Sequence, residues 1–200
     1  MKKTAVTDHP ISELLRERWS PRAFSDQAIP SNVLRSLFEA ARWAPSSNNE
    51  QPWAFVVATK EDYATHAKLL STLHEFNHAW AKHAPVLGIA VSKLAFARNG
   101  NANRNAFYDT GAAMADLTIE AIGHGLLVHQ MAGFDPHKAI EHFLIPEGWE
   151  PIAAFVIGYP GDPQSLPENL RERELAARTR KPLSEFVMSE KWGQPASFLK

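Results

Sequence analysis

Three short, almost uninterrupted apolar runs constrain this chain more than any other feature: Trp53 to Ala58, Val86 to Val91 and Ile152 to Ile157. Each is too short for a buried helix and lacks the in–out alternation of a strand with one wet face, so each reads as a strand covered on both sides. Helical patterns separate them. Ile11 to Trp19 carries Leu14 and Leu15 among charged residues and stops at Pro21. Ser31 is placed to cap a helix whose one face holds Val33, Leu34, Leu37 and Phe38 and which stops before Pro45. Ala64 to Ala81 predicts helix in one or two pieces, Thr110 to His124 a long helix capped by Asp109, and His137 to Phe143 a short one. Small residues at Gly111, Ala112, Ala113 and Ala115 permit close packing of the long helix, and Gly123 or Gly125 can end it. Leu126 to Met131 is a further short apolar stretch, and Asn99 to Asn105 reads as a mobile polar loop. Helices alternating with apolar strands argue for an α/β or α+β sheet sandwiched by helices.

Two hundred residues suit a single core-forming domain. A formal net charge of −1 gives no electrostatic case for nucleic acid or an acidic membrane surface. No apolar run reaches the length that crosses a bilayer, and the first eight residues contain no apolar signal core, so the cytoplasm is the expected compartment. Cysteine is absent, which removes disulfides, Cys-ligated iron–sulfur clusters and a thiol nucleophile. Electron transfer would then need an organic cofactor or a metal held by His and carboxylates. Beyond Gly161 the chain turns polar and proline-rich. The stretch from Pro163 to Lys200 is too long for an ordinary connection and reads as a disordered tail or as an arm lying on something.

Two strings carry the chemistry. In Arg18-Trp19-Ser20-Pro21-Arg22-Ala23-Phe24, the proline forces the residue before it toward extended geometry, and residues two apart then share a face. Arg18, Ser20 and Arg22 would present two guanidiniums and a hydroxyl, a donor set suited to a phosphate monoester, where the plainer reading is two solvated arginines beside a helix stop. Arg178, Thr179, Arg180 and Lys181 repeat the same period near the C-terminus, and taken alone they read as a basic surface patch. In the second string, Ser46, Ser47, Asn48, Asn49 and Gln51 lie between Pro45 and Pro52. Their amides offer donors and acceptors together and can match the ureide edge of a flavin, although the same residues also build polar turns. Gly133, in Gln130-Met131-Ala132-Gly133-Phe134, permits close backbone approach to a planar ligand.

Taken in order, R-W-S-P-R-A-F, A-P-S-S-N-N-E-Q-P-W, Y-D-T-G-A-A-M-A-D-L at Tyr108 to Leu117, M-A-G-F-D at Met131 to Asp135, I-G-Y-P at Ile157 to Pro160 and R-T-R-K-P at Arg178 to Pro182 resemble the FMN-dependent nitroreductase family. The resemblance implies an α+β fold with a central, mostly antiparallel sheet sandwiched by helices. It divides the chain into an FMN-binding domain over residues 1–162 and a C-terminal arm over 163–200 that wraps the partner subunit of a homodimer. It implies that Arg18, Ser20, Arg22, Arg178 and Arg180 hold the FMN phosphate. Pro45, Ser46, Ser47, Asn49 and Gln51 would reach the ring from the partner, and Asn77, Met131, Ala132 and Gly133 would lie against it. Trp19 stands where many relatives have a second arginine, and Ala132 where some have glutamate. The implied activity is an oxidoreductase with tightly bound FMN. It takes electrons from transiently bound NADH or NADPH and reduces a small-molecule acceptor such as a nitroaromatic or quinone. The resemblance implies no catalytic side chain, because the cofactor carries the hydride chemistry. Two alternatives stand beside it: a non-catalytic flavin carrier using the same site, and a zinc hydrolase built on His74-Glu75-Phe76-Asn77-His78, which matches H-E-x-x-H and would put both histidines on one helix face.

Overall fold

In the computed structural model, which describes residues 2–199, the three apolar runs become strands and the stretch before Met131 supplies a fourth. The elements follow in order: α1 (Glu13–Glu17), α2 (Ser31–Arg42), β1 (Trp53–Thr59), α3 (Tyr63–Thr72), α4 (Glu75–Ala81), β2 (Val86–Lys93), α5 (Ala106–Gly123), β3 (Leu127–Met131), α6 (Pro136–Phe143), β4 (Trp149–Gly158) and α7 (Glu168–Leu175). The sheet order is β1-β2-β4-β3, and all three pairings are antiparallel. Among the described residues no helix is long and apolar enough to cross a membrane.

Antiparallel sheets often leave one face wet, but helices pack on both faces of this one, and that explains the unbroken apolar runs; the cover is full over β2 and the second half of β4, whereas the edge strand β1, expected to be buried, is only half-buried apart from Ala58. Leu87, Ile89, Met131, Ala154 and Val156 point into one core with Leu69, Trp80 and Ala139 from α3, α4 and α6, and with Trp19 and Phe24 from the N-terminal segment. Val86, Ala90, Val128, Phe155 and Ile157 point into the other, beneath Leu37 and Ala41 of α2 and Met114, Leu117 and Ala121 of α5. Fully burying side chains such as Trp80 and Phe155 stabilises by about 1.5–3 kcal/mol each.

Several boundaries differ from the sequence reading. Helix α1 has only five residues and ends before Arg18, which is already extended three residues ahead of the proline. Pro30, not Ser31, occupies the cap position of α2. Helix α5 begins at Ala106, so Asp109 lies inside its first turn and does not cap it. The Asn99 to Asn105 segment is a hydrogen-bonded excursion: Ala95 bridges Ala102, and the Phe96 and Asn103 amides donate to the Asn101 and Leu94 carbonyls at 2.9 and 2.7 Å. Beyond residue 162 the chain packs on its own fold through α7, whose Leu170 joins Leu166 in the first core, and through Arg178, which donates to the Lys3 and Arg16 carbonyls.

Candidate functional site

Between Trp19 and Ala23 the chain is extended and alternates. Trp19, Pro21 and Ala23 are buried, whereas Ser20 is exposed and Arg18 and Arg22 are half-buried. The inward side chains anchor the segment to the core, and its continuation pairs with the end of β4. The Ser25 amide donates to the Tyr159 carbonyl and the Gly161 amide to that of Ala23, at 2.9 and 2.8 Å. The outward side chains line a cleft of about 230 Å³ with Arg173, Arg178 and Arg180 from the other end of the chain and Lys3 from the start. Arg18, Ser20, Arg22, Arg178 and Arg180 are therefore gathered at one place. Arg18 Nη1 donates to Ser20 Oγ at 3.2 Å. Burial, and then the neighbouring Arg178 and Arg180 charges, pull the Arg18 pKa below its ordinary value. Arg22 differs. Its guanidinium lies over the Phe76 ring at 6.0 Å, on the α4 side of the cleft, and its buried Nε has no partner. Burial is again the main cause of its lowered pKa.

Two side chains that hold the cleft-lining segment carry no signal in the sequence. Glu174, on α7, is 1% exposed. Its carboxylate accepts from the Arg22 amide at 2.9 and 3.0 Å and from the Ala23 amide at 3.1 Å. His129, on β3, donates from Nδ1 to the Pro21 carbonyl at 2.6 Å and packs on Trp80, with ring centres 4.6 Å apart. Burial, reinforced by the nearby Arg22 and Arg18 charges and opposed by the Pro21 bond, lowers the His129 pKa to about 4. Glu174 sits in a helix of alternating charges and His129 in a strand. Nothing local marks either one, because the partner backbone is more than a hundred residues away.

The ring-end segment lies elsewhere. Ser46 to Gln51 precedes β1, on the sheet edge opposite β3. Asn48, Asn49 and Gln51 all take positive φ, at 54°, 55° and 51°. Asparagine tolerates that region better than most residues, yet three such positions in four store strain. Fixed bonds hold the shape: the Ser47 amide donates to Asp109 Oδ2 at 3.0 Å, the Gln51 amide to Ser46 Oγ at 3.0 Å, and the Ala97 amide to Glu50 Oε1 at 2.6 Å. Asp109 is thus the buried anchor of this loop.

The third piece ends β3. Asn77 Nδ2 donates to the Gly133 carbonyl at 3.0 Å, and the His74 amide donates to the same oxygen at 3.1 Å. Met131 is buried and Ala132 exposed. Asn77 neighbours Phe76, so this piece and the Arg22 side of the cleft share α4. Within one chain the structure joins the cationic cleft to the β3 end, and does not join either to Pro45, Ser46, Ser47, Asn49 and Gln51. With neighbouring strands about 4.8 Å apart, the two edges are separated by roughly 14 Å of sheet. The H-E-x-x-H string is not a helical ligand pair, because His74 precedes α4 in extended conformation. Among the described residues no group of three or more His, Cys, Asp or Glu side chains could hold a metal.

Residues 15–159 match the model of the nitroreductase family. The chain belongs to that family. This member is 35% identical over 141 residues to a 15.4 kDa protein in the ask 5′ region of Mycolicibacterium smegmatis, covering 69% of this chain and 89% of that one. It is 26% identical over 192 residues to iodotyrosine deiodinase of Haliscomenobacter hydrossis, covering 82% and 85%. A solved structure described as an oxidoreductase containing FMN superposes with a TM-score of 0.89 at 33% identity, covering 94% of this nitroreductase-family chain and 96% of that one.

Proposed function

We propose that this chain is an FMN-dependent oxidoreductase that works as a homodimer in the cytoplasm, takes electrons from NADH or NADPH, and reduces nitroaromatics, quinones or related electrophiles. One observation carries the reading: cationic side chains from both ends of the sequence converge on a single small cleft whose one acidic lining residue, Glu174, is already occupied by backbone amides. Such a charge set favours an anion. A phosphate monoester fits it, and the unpartnered buried Nε of Arg22 is a donor awaiting an acceptor.

Arg18, Ser20, Arg178 and Arg180 would hold the phosphate. Arg22 reaches from that cleft toward α4, where Asn77, Met131, Ala132 and Gly133 would lie along the ring. Pro45, Ser46, Ser47, Asn49 and Gln51, stranded on the far sheet edge, would complete the partner's site, which makes the dimer the functional unit. Exposed Phe186, Trp192 and Phe198 support a C-terminal arm that covers a second copy. Bound there, FMN supplies the two-electron redox chemistry for which a chain without cysteine has no side chain of its own. The side chains' task is to fix the nucleotide, leave one ring face open, and place cations and amides where negative charge accumulates on reduction. The aromatic substrate in the name of the iodotyrosine deiodinase relative supports an aromatic or quinonoid acceptor.

The test is an absorption spectrum of the purified protein, followed by anaerobic addition of NADH and of NADPH. Flavin bands that bleach with either donor, and return when a nitroarene or quinone is added, are the expected result. Colourless protein that cannot be reconstituted with FMN would overturn the reading.

A further inference from the structure

The cleft is built from two bodies. Lys3, Arg18 and Arg22 belong to the N-terminal segment, and Arg173, Arg178 and Arg180 to α7 and the residues after it. Three cations face three cations, and the only acidic side chain lining the cleft, among the described residues, is Glu174. Docking of the C-terminal segment therefore brings like charges together in a partly desolvated place, which is unfavourable unless something negative joins them. Glu174 supplies part of that charge, and it does so from the arm. Its carboxylate crosses to the N-terminal segment and accepts the Arg22 and Ala23 amides, an anion seated on two adjacent backbone donors. Besides the apolar packing of Leu166 and Leu170 into the first core, the other polar links between the bodies are hydrogen bonds to carbonyls. Lys3 Nζ donates to the carbonyls of Glu174 and Ala176, both at 2.6 Å, and Arg178 Nη1 donates to those of Lys3 and Arg16 at 2.6 and 3.0 Å. None of these neutralises the cations. A bound dianion would do so, by contacting both bodies at once.

We propose that Glu174 is a positioning residue that ties the docking of α7 and the following segment to anion binding in the cleft, so that nucleotide retention and closure of the C-terminal arm are one linked equilibrium. The carboxylate holds the arm down before the ligand arrives and fixes the Arg22 backbone so that its side chain enters the cleft. The phosphate then completes the neutralisation. The linkage is reciprocal: whatever loosens α7 releases the nucleotide, and whatever binds the cleft quiets α7. The proposal rests on the cationic cleft being the phosphate end of an FMN site.

Hydrogen exchange of the amides in residues 167–178, followed by mass spectrometry, tests it in the full-length protein. In the wild type, saturating FMN is expected to slow exchange of this segment about tenfold, and inorganic phosphate to slow it measurably relative to chloride at equal ionic strength. Glu174→Gln puts an amide N–H₂ where one carboxylate oxygen accepted. It is expected to speed exchange of the same segment in the flavin-free protein and to raise the FMN dissociation constant about tenfold or more, with the far-ultraviolet circular dichroism unchanged. Exchange that ignores both FMN and phosphate in the wild type, or a Glu174→Gln protein that binds FMN as the wild type does, overturns the proposal while leaving the flavin reading intact. A wild-type chain that takes up no FMN overturns the flavin reading, and the phosphate-against-chloride comparison then decides the linkage alone.

Discussion

The Asn77 side chain occupies the space where Gly133 would carry a Cβ: its Nδ2 lies 2.5 Å from that point while donating to the Gly133 carbonyl at 3.0 Å. The glycine is required by its neighbour, not by its own backbone angles. Gly133→Ala must push Asn77 aside and break that bond. The Gly133 carbonyl keeps its bond from the His74 amide, so the expected loss is about 0.5–1.5 kcal/mol in stability, read by thermal or urea unfolding, together with weaker FMN binding by fluorescence titration. Asn77→Ala in the Gly133→Ala background should recover part of the stability, because it removes the clash.

Asp109 and Ser47 form a second such pair, 62 positions apart. The buried carboxylate holds a loop that carries three left-handed residues. Asp109→Ala leaves the Ser47 amide without its partner and is expected to cost about 1–3 kcal/mol. Asp109→Asn keeps an acceptor oxygen and should cost less. Differential scanning calorimetry of the two variants checks the order. If FMN spans two copies, the alanine variant should also lose flavin, although Asp109 belongs to no part of the cationic cleft.

Much of this architecture was legible in the chain, because what carried it was local. Runs such as Trp53 to Ala58 and Ile152 to Ile157 are apolar where both sheet faces are covered, and the Pro21 restriction sets the alternation that turns Arg18, Ser20 and Arg22 one way. Asp109 is the opposite case. It resembles a helix cap in sequence, yet helix α5 starts three residues earlier and its carboxylate serves a loop before β1. Glu174 was illegible for the same reason: a carboxylate that bonds backbone amides leaves no complementary residue type to look for. The separation of the Ser46 to Gln51 loop from the cleft follows from the family resemblance alone and not from any local pattern, since it depends on the strand order.

Gly88 tests the core directly. A Cβ there would lie 2.3 Å from the Phe155 ring, which itself meets Phe55 edge-on at 6.3 Å between ring centres. The ring cannot move without disturbing the core shared with α2 and α5. Gly88→Ala is expected to destabilise by at least about 1–3 kcal/mol through overpacking. Gly88→Ala with Phe155→Leu should be more stable than Gly88→Ala alone, measured by urea unfolding.

His129 makes stability depend on pH. Its pKa is about 4 in the folded chain and near 6.5 when unfolded, so between these values the unfolded chain binds the extra proton. Stability from this group is fully present above about pH 6.5 and is lost as pH falls toward 4, by at most about 3 kcal/mol. The protonated ring would also add a cation beside Arg22 and Arg18. His129→Gln should flatten the stability profile over that window, as judged by melting temperatures across pH 4 to 7, while the wild type declines steadily.

Arg22 separates stability from ligand binding. Its guanidinium is partly buried against Phe76, its Nε has no partner, and burial lowers its pKa by more than the Glu174 charge raises it, so holding the charge there carries a net cost without a further anion. Arg22→Met keeps an unbranched chain over the Phe76 ring and removes that cost. The main-chain amide of residue 22 still meets Glu174. The flavin-free variant is expected to melt at or above the wild-type temperature, whereas its FMN affinity falls by about 1.5–3 kcal/mol with the loss of a charge-assisted bond. Calorimetry of the flavin-free protein and an FMN titration, run on the same preparation, separate the two effects. A variant that melts lower and binds FMN as well as the wild type would assign Arg22 to the scaffold.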